Sequence, residues 1–314
     1  MADEFDDQAL RSIGDALAGY PGAEFKARLR RSLERSIEIM TAAETGRAQA
    51  GVPARGVRSG FTTVTPYLMA PDIEPVIAFA RRVFDADETS RTRGGFGGIH
   101  CELRIGDSML MCGGGDGVPN PIIAPRLVGL HVYVDDVDAA YQRAIDAGAT
   151  SLGAPEDRPY GERAAFVADA AGNHWYIATP LGPTYFAQAP RTLTPHLYVQ
   201  KTAARGAAEF IAFVKAAFGA SIEMRHDTPE GTVAHAVLRL RDAAIEVGEG
   251  KEAMFPAPAA FYLYVDDCDA LYAQAVAAGA TGVHPPADQP YGDRMGTLED
   301  AWGNEWFVAT HKNA

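Results

Sequence analysis

Three residues in the second half of this 314-residue chain, His196, His235 and Glu246, have the types needed to hold a divalent cation. They sit in separate short runs, LTPHLYVQ, VAHAVLRL and AAIEVGEG. Two imidazoles and one carboxylate leave a coordination position open, as catalytic zinc sites do. The alternative is a set of pocket-lining polar groups hydrogen-bonded to one another or to Arg239. In the first half, His100 and His131 could exchange protons near neutral pH. Equally, beside Tyr67 and Tyr133, they could fix one polar atom of a ligand. Arg163 and Arg294 each follow a Pro-Tyr-Gly turn. There they could grip a carboxylate or phosphonate in bidentate fashion, or tie their loops to Asp169 and Asp300. Tyr176 and Phe307 offer flat rings for stacking. No Gly-x-Ser-x-Gly elbow, phosphate-binding glycine loop or dinucleotide fingerprint is present.

These residues recur because the chain repeats itself. Residues 133–179 and 264–310 nearly match, with Asp136/Asp267, Tyr160/Tyr291, Arg163/Arg294 and Trp175/Trp306 each 131 positions apart. So long a period means a duplicated domain, since solenoid repeats run about 20–50 residues. Each copy splits again into two units of strand–helix–strand–strand–strand. VTPYLMAPD precedes IEPVIAFARRVF, and GLHVYVDD precedes VDAAYQRAIDAG; the second copy repeats both. Gly148 and Gly279 follow their helices as left-handed caps would.

Alternation assigns the strand faces. With a two-residue hairpin turn at Gly106-Asp107, Cys101, Leu103, Ile105, Leu110 and Cys112 share one apolar face. His100, Glu102, Arg104, Met109 and Met111 take the other. Glu102 and Arg104, two apart, read as an ion pair. Likewise His131 and Tyr133 oppose Leu130 and Val132, and His196 and Tyr198 oppose Leu197 and Val199. Helices must pack on the apolar faces. The faces carrying His, Tyr, Arg and Met then fold around a cavity in each copy. Trp175 and Trp306 alternate onto the core side, whereas GGGDG at 113–117 reads as a loop.

Net charge of −13 opposes binding to nucleic acid or an anionic membrane. No apolar run approaches the roughly 18 residues of a membrane span. The acidic start MADEFDDQAL resembles neither a secretory signal nor a transit peptide. Three cysteines without C-x-x-C spacing read as reduced thiols, which with that start places the protein in the cytoplasm. Residues 1–58 stand outside the repeat as a helical extension and linker. The apolar stripe Phe25, Leu29, Leu33, Ile37 and Met40 needs cover from the chain itself or from a second subunit, giving a monomer or a homodimer joined through these helices.

The pattern YG(D/E)R…D-A-x-G-N-x-W, at 160–175 and 291–306, resembles the vicinal-oxygen-chelate superfamily of glyoxalases, bleomycin-resistance proteins and extradiol dioxygenases. The (V/L)-T-P pairs at 64–66 and 193–195 and H-x-x-L-R at 100–104 and 235–239 are similar to its PhnB-like branch. The resemblance implies an α+β fold: four βαβββ modules forming two tandem glyoxalase-like domains, at 61–182 and 191–312, with U-shaped mixed sheets. It also implies that metal ligands come from the first and last strands of each module. Those places hold Thr65, Gly129, Thr194 and Ala260 on the first strands. On the last strands they hold Met111, Tyr176 and Phe307, and only Glu246 matches the family.

With the set incomplete, the expectation is a metal-independent protein that binds a small organic ligand, by sequestration or resistance, with one pocket per copy. Its lining is expected from Tyr67, His100, His131, Tyr133, Arg163, Tyr176, His196, Tyr198, His235, Arg239, Glu246, Arg294 and Phe307. The alternative is a metal-dependent lyase, isomerase or dioxygenase confined to the second domain, with Zn, Ni, Mn or Fe on His196, His235 and Glu246.

Overall fold

The computed structural model describes residues 56–93, 98–118, 124–182, 191–200, 205–250 and 258–312. The expected N-terminal helices, and any dimer contact they would make, lie outside the described residues.

Four βαβββ modules follow in order. The first is β1 (Val64–Asp72), α1 (Glu74–Phe84), β2 (Asp87–Arg93), β3 (Ile99–Ile105) and β4 (Ser108–Gly115). The second is β5 (Gly129–Tyr133), α2 (Val137–Asp146), β6 (Thr150–Arg158), β7 (Glu162–Ala168) and β8 (His174–Pro180). The third is β9 (Leu193–Gln200), α3 (Ala207–Phe218), β10 (Ser221–Asp227), β11 (Val233–Leu240) and β12 (Ala243–Gly250). The fourth is β13 (Ala260–Tyr264), α4 (Cys268–Ala277), β14 (Thr281–Asp288), β15 (Asp293–Glu299) and β16 (Glu305–His311).

Hairpin geometry follows the expected alternation. Leu103 pairs with Leu110 and Cys101 with Cys112 across a turn at Gly106, whose φ is 57°. The GGGDG run departs from its loop reading, because β4 continues through Gly115. Its glycines answer to close packing. A Cβ on Gly114 would lie 2.2 Å from the Ala70 carbonyl oxygen, and one on Gly113 would lie 2.9 Å from the Tyr67 hydroxyl.

Two eight-stranded mixed sheets result, and their composition corrects the expectation of one sheet per copy. Sheet A runs β14-β15-β16-β13-β1-β4-β3-β2, joining the first and fourth modules. Sheet B runs β10-β11-β12-β9-β5-β8-β7-β6, joining the second and third. The seams are antiparallel, through β1–β13 and β5–β9. Leading strands of both copies carry similar V/L-T-P sequences, so nothing local tells β1 which partner to choose.

Helices pair in the opposite sense. Helix α1 packs against α2 and α3 against α4, each pair within one copy. Phe84 of α1 stacks on Trp175 of β8 at 5.0 Å between ring centroids, and Phe218 of α3 meets Trp306 of β16 at 4.5 Å. Both tryptophans are fully buried, as expected of core residues. Each indole N–H donates to a buried aspartate, Asp169 at 3.0 Å and Asp300 at 2.9 Å. These carboxylates also accept from the backbone and side chain of Asn173 and Asn304. This explains the repeated D-A-x-G-N-x-W: one carboxylate knots a turn and orients the core indole. The helix pairs are therefore built within a copy, and the concave sheets between copies.

Candidate functional site

Sheets A and B each enclose a polar-aromatic hollow on the face away from the helices, and the two differ sharply. In the hollow of sheet B, Glu246 on β12 lies in register with His196 on β9. Glu246 is 1 % exposed and His131 is 1 % exposed. The imidazole Nδ1 of His131 lies 2.9 Å from Glu246 Oε1, and Nε2 of His235 lies 3.0 Å from Glu246 Oε2. Nδ1 of His196 is 3.7 Å from Oε2. On its far side His131 approaches Glu162 at 3.8 Å, and the Tyr133 hydroxyl donates to Glu162 at 2.5 Å. His131 belongs to the first copy and Glu246 to the second, so the cluster is not confined to the second domain.

Charge follows from this geometry. Burial would raise the Glu246 carboxyl, but the charge and hydrogen bond of His131 and the hydrogen bond of His235 hold it well below the usual range. Burial would lower His131, yet Glu246 and Glu162 raise it. Burial lowers His196 to about 3 despite the pull of Glu246, so this imidazole is neutral and keeps a lone pair for a ligand. Burial raises Glu162. His131 Nε2, Glu162 Oε2 and His196 Nε2 are all buried without a hydrogen-bond partner.

Aromatic rings wall this site. Tyr198 stacks on His196 at 4.4 Å, Tyr133 lies 4.4 Å from His131, and Tyr176 meets His131 edge-on at 4.5 Å. The Tyr160 hydroxyl, from the Pro-Tyr-Gly turn, is hydrogen-bonded to that of Tyr176. Arg239 stands at the rim, its guanidinium engaged by Glu223 at 2.6 Å rather than by the histidines.

In the hollow of sheet A the equivalent positions carry different chemistry. Tyr67 replaces His196, Met111 replaces Glu246, Tyr262 replaces His131, and Asp293 replaces Glu162. The Tyr67 hydroxyl pairs with His100 Nδ1 at 2.9 Å. Asp293 accepts from Tyr262 at 2.6 Å and Tyr264 at 3.2 Å, and pairs with His311 at 2.6 Å. Phe307 packs against Tyr67 at 5.4 Å.

The segment read as linker closes this hollow. Arg58 reaches Glu102 with both guanidinium nitrogens at 2.6 Å, and sits 4.7 Å over Phe61, which packs on Tyr264. The expected Glu102–Arg104 pair is absent: Glu102 belongs to Arg58, and Arg104 pairs with exposed Asp87. Burial would raise Glu102, but hydrogen bonds from His100 and Arg58 and the charge of Arg58 hold it at about 2.

Arg163 and Arg294 join neither hollow. Arg163 binds Asp138 and Asp157, and Arg294 binds Asp269 and Asp288. The tie runs to the helix start and the neighbouring strand, so the expected partners Asp169 and Asp300 are corrected. Glu162 and Asp293 escaped the sequence reading although each is the acidic letter of a twice-repeated YG(D/E)R. Arg58 gave no signal, since only folding brings it to Glu102.

The glyoxalase/bleomycin resistance protein/dioxygenase superfamily matches over residues 61–177 and 202–308. The chain belongs to this superfamily. Uncharacterized protein Mb0911c of Mycobacterium bovis is 39 % identical over 127 residues, covering 38 % of this chain and 83 % of that protein. Rv0887c of Mycobacterium tuberculosis matches at the same 39 % over 127 residues, covering 74 % of its length. Glyoxalase I from Zea mays superposes with a TM-score of 0.58 at 14 % identity, covering 79 % of this chain and 92 % of that one. At such identity the likeness concerns the fold. Superfamily members typically use divalent metals. Among the described residues no helix is long and apolar enough to cross a membrane.

The donor set of sheet B fits such an ion. One ligand atom from each of His196, His235 and Glu246 lies within 4.8 Å of the others. Glu246 Oε2 stands 3.0 Å from His235 Nε2 and 3.7 Å from His196 Nδ1, near the roughly 3–3.5 Å spacing of ligand atoms that share one ion. Sheet A does not fit, because Met111 and Tyr67 supply no carboxylate or imidazole there.

Proposed function

We propose that the protein carries out divalent-metal-assisted chemistry on a small organic compound, of the lyase, isomerase or dioxygenase type, in the hollow of sheet B alone. The observation that carries this reading is Glu246: ionised, buried, and within reach of two imidazoles, one of them neutral. A bound ion would supply a Lewis acid able to polarise two neighbouring substrate oxygens. His131 holds Oε1 of Glu246 and thereby leaves Oε2 turned toward His235 and His196, the outer support that ligating carboxylates need. Glu162 and Tyr133 fix the far edge of His131. Tyr198 and Tyr176 wall the site against water. On this reading sheet A is a closed counterpart that supports the fold.

Metal analysis of the purified protein tests the proposal. Stoichiometric zinc, nickel, manganese or iron, lost in Glu246→Gln, is the expected result. A second reading, metal-free binding of a small organic ligand, is favoured by the His131–Glu246 contact, which already satisfies one carboxylate oxygen. A folded, metal-free protein that takes up no added cation would establish it and overturn the first. The PhnB-like placement belongs to this proposal too, and rests on the (V/L)-T-P and H-x-x-L-R pairs. Cytoplasmic residence rests on the reduced cysteines, all three buried and unpaired.

A further inference from the structure

The hollow of sheet A keeps a carboxylate at the rung where sheet B has Glu246, but supplies it from the neighbouring strand. Glu246 of β12 stands opposite Val237 of β11, whereas Met111 of β4 stands opposite Glu102 of β3. The rungs are equivalent, since His100 and His235 each lie two positions before them. Glu102 is buried, and a carboxylate held out of water requires a partner of opposite charge. Imidazoles answer Glu246; a guanidinium answers Glu102.

That guanidinium comes from a strap and not from the sheet. Residues 56–63 are tethered at both ends. The His311 N–H donates to the Gly56 carbonyl and the Tyr264 N–H donates to the Thr63 carbonyl, each at 2.8 Å. Between the tethers the chain makes a tight turn, in which the Phe61 N–H donates to the Arg58 carbonyl at 3.0 Å and Gly60 takes a φ of 87°. Ser59 and Gly60 are exposed, and a Cβ on Gly60 would meet nothing within 4 Å. Arg58 therefore enters the hollow from a turn that stands clear of the sheet, and its side chain leaves without either tether breaking.

The place it occupies is shaped for a flat cation. Both oxygens of Glu102 meet the two terminal nitrogens of one planar fork, a match for a guanidinium or amidinium rather than an ammonium. His100, 3.4 Å from Oε1 and bonded to Tyr67, steadies the carboxylate. The Phe61 ring lies under the guanidinium and packs edge-on against Tyr264. The other buried carboxylate, Asp293, is committed to Tyr262, Tyr264 and His311, so Glu102 is the acceptor a guest would meet.

We infer that the hollow of sheet A is a second binding site, for a planar organic cation of the guanidinium or amidinium class, and that Arg58 fills it in the resting chain as an internal competitor. The site is separate from the sheet B cluster and does not depend on a metal there.

Isothermal titration calorimetry of the full chain with benzylguanidinium is the test, with benzylamine as a cation lacking the fork and N-benzylurea as a neutral copy. Arg58→Ala should bind benzylguanidinium about tenfold or more tighter than wild type, because no internal guanidinium competes. Benzylamine should bind that variant about tenfold more weakly, and benzylurea not at all. Arg58→Lys, which keeps the charge and loses the fork, should fall between wild type and Arg58→Ala, and it carries the test if the alanine variant does not fold. Arg58→Ala/Glu102→Gln should lose binding, while Glu246→Gln should leave it unchanged. Equal affinity in wild type and the folded Arg58 variants, no binding in those variants, equal uptake of benzylurea, or binding that survives loss of Glu102 overturns the proposal.

Discussion

Replacing Arg58 by methionine should unlock the hollow of sheet A, and its cost can be worked from the structure. Glu102 is 3 % exposed, and its carboxyl sits at about 2 against an ordinary value near 4.5. Each unit of that shift corresponds to about 1.4 kcal/mol, so the environment of Glu102 contributes on the order of 3 kcal/mol at neutral pH. The two 2.6 Å bonds from Arg58 are shorter than the 3.4 Å approach of His100, and carry the larger share. The Arg58 side chain is 34 % exposed, and solvent screening trims its share to about 2 kcal/mol. The assay is urea unfolding of both proteins across pH. A depressed carboxyl contributes fully above its unfolded value near 4.5, and the contribution fades as pH falls toward 2. The gap between wild type and Arg58→Met should therefore be about 2 kcal/mol at pH 7 and should close on acidification. Arg58→Met/Glu102→Gln should recover part of the loss, because no buried charge is left alone. A gap that is absent at pH 7, or unchanged between neutral and strongly acidic solution, would refute the reasoning.

Other outcomes follow from the same contacts. Asp300→Ala removes the acceptor for the Trp306 indole and the Asn304 amides, and should cost about 3 kcal/mol or more in chemical unfolding. Asp300→Asn, which keeps one acceptor, should cost less. Gly114→Ala places a methyl 2.2 Å from the Ala70 carbonyl and should lower the thermal midpoint well beyond the effect of the same change at Gly182, where nothing lies within 4 Å. His131→Phe should weaken cobalt binding about tenfold or more by freeing the Glu246 carboxylate to rotate, and His131→Asn should restore part of it. Equal cobalt affinity in all three proteins would show that His131 plays no part in orienting Glu246.

Much of this protein is written locally. The duplication, the four βαβββ modules, the burial of Trp175 and Trp306, and the inward faces of His131, His196, His235 and Glu246 all follow from repeat and alternation, because period-two patterning fixes which face a residue takes. What the sequence could not state is which module pairs with which. The seams β1–β13 and β5–β9 join strands nearly 200 and about 60 residues apart, and every leading strand presents similar edges. In the folded chain the helices pack within a copy, while each sheet closes with the other copy's module. That choice alone brings His131 to Glu246. Arg58 reaches Glu102 because Gly56 docks beside Val265 and His311, a contact between chain segments far apart in sequence. Alternation decides the face of a strand; only long-range packing decides which faces meet.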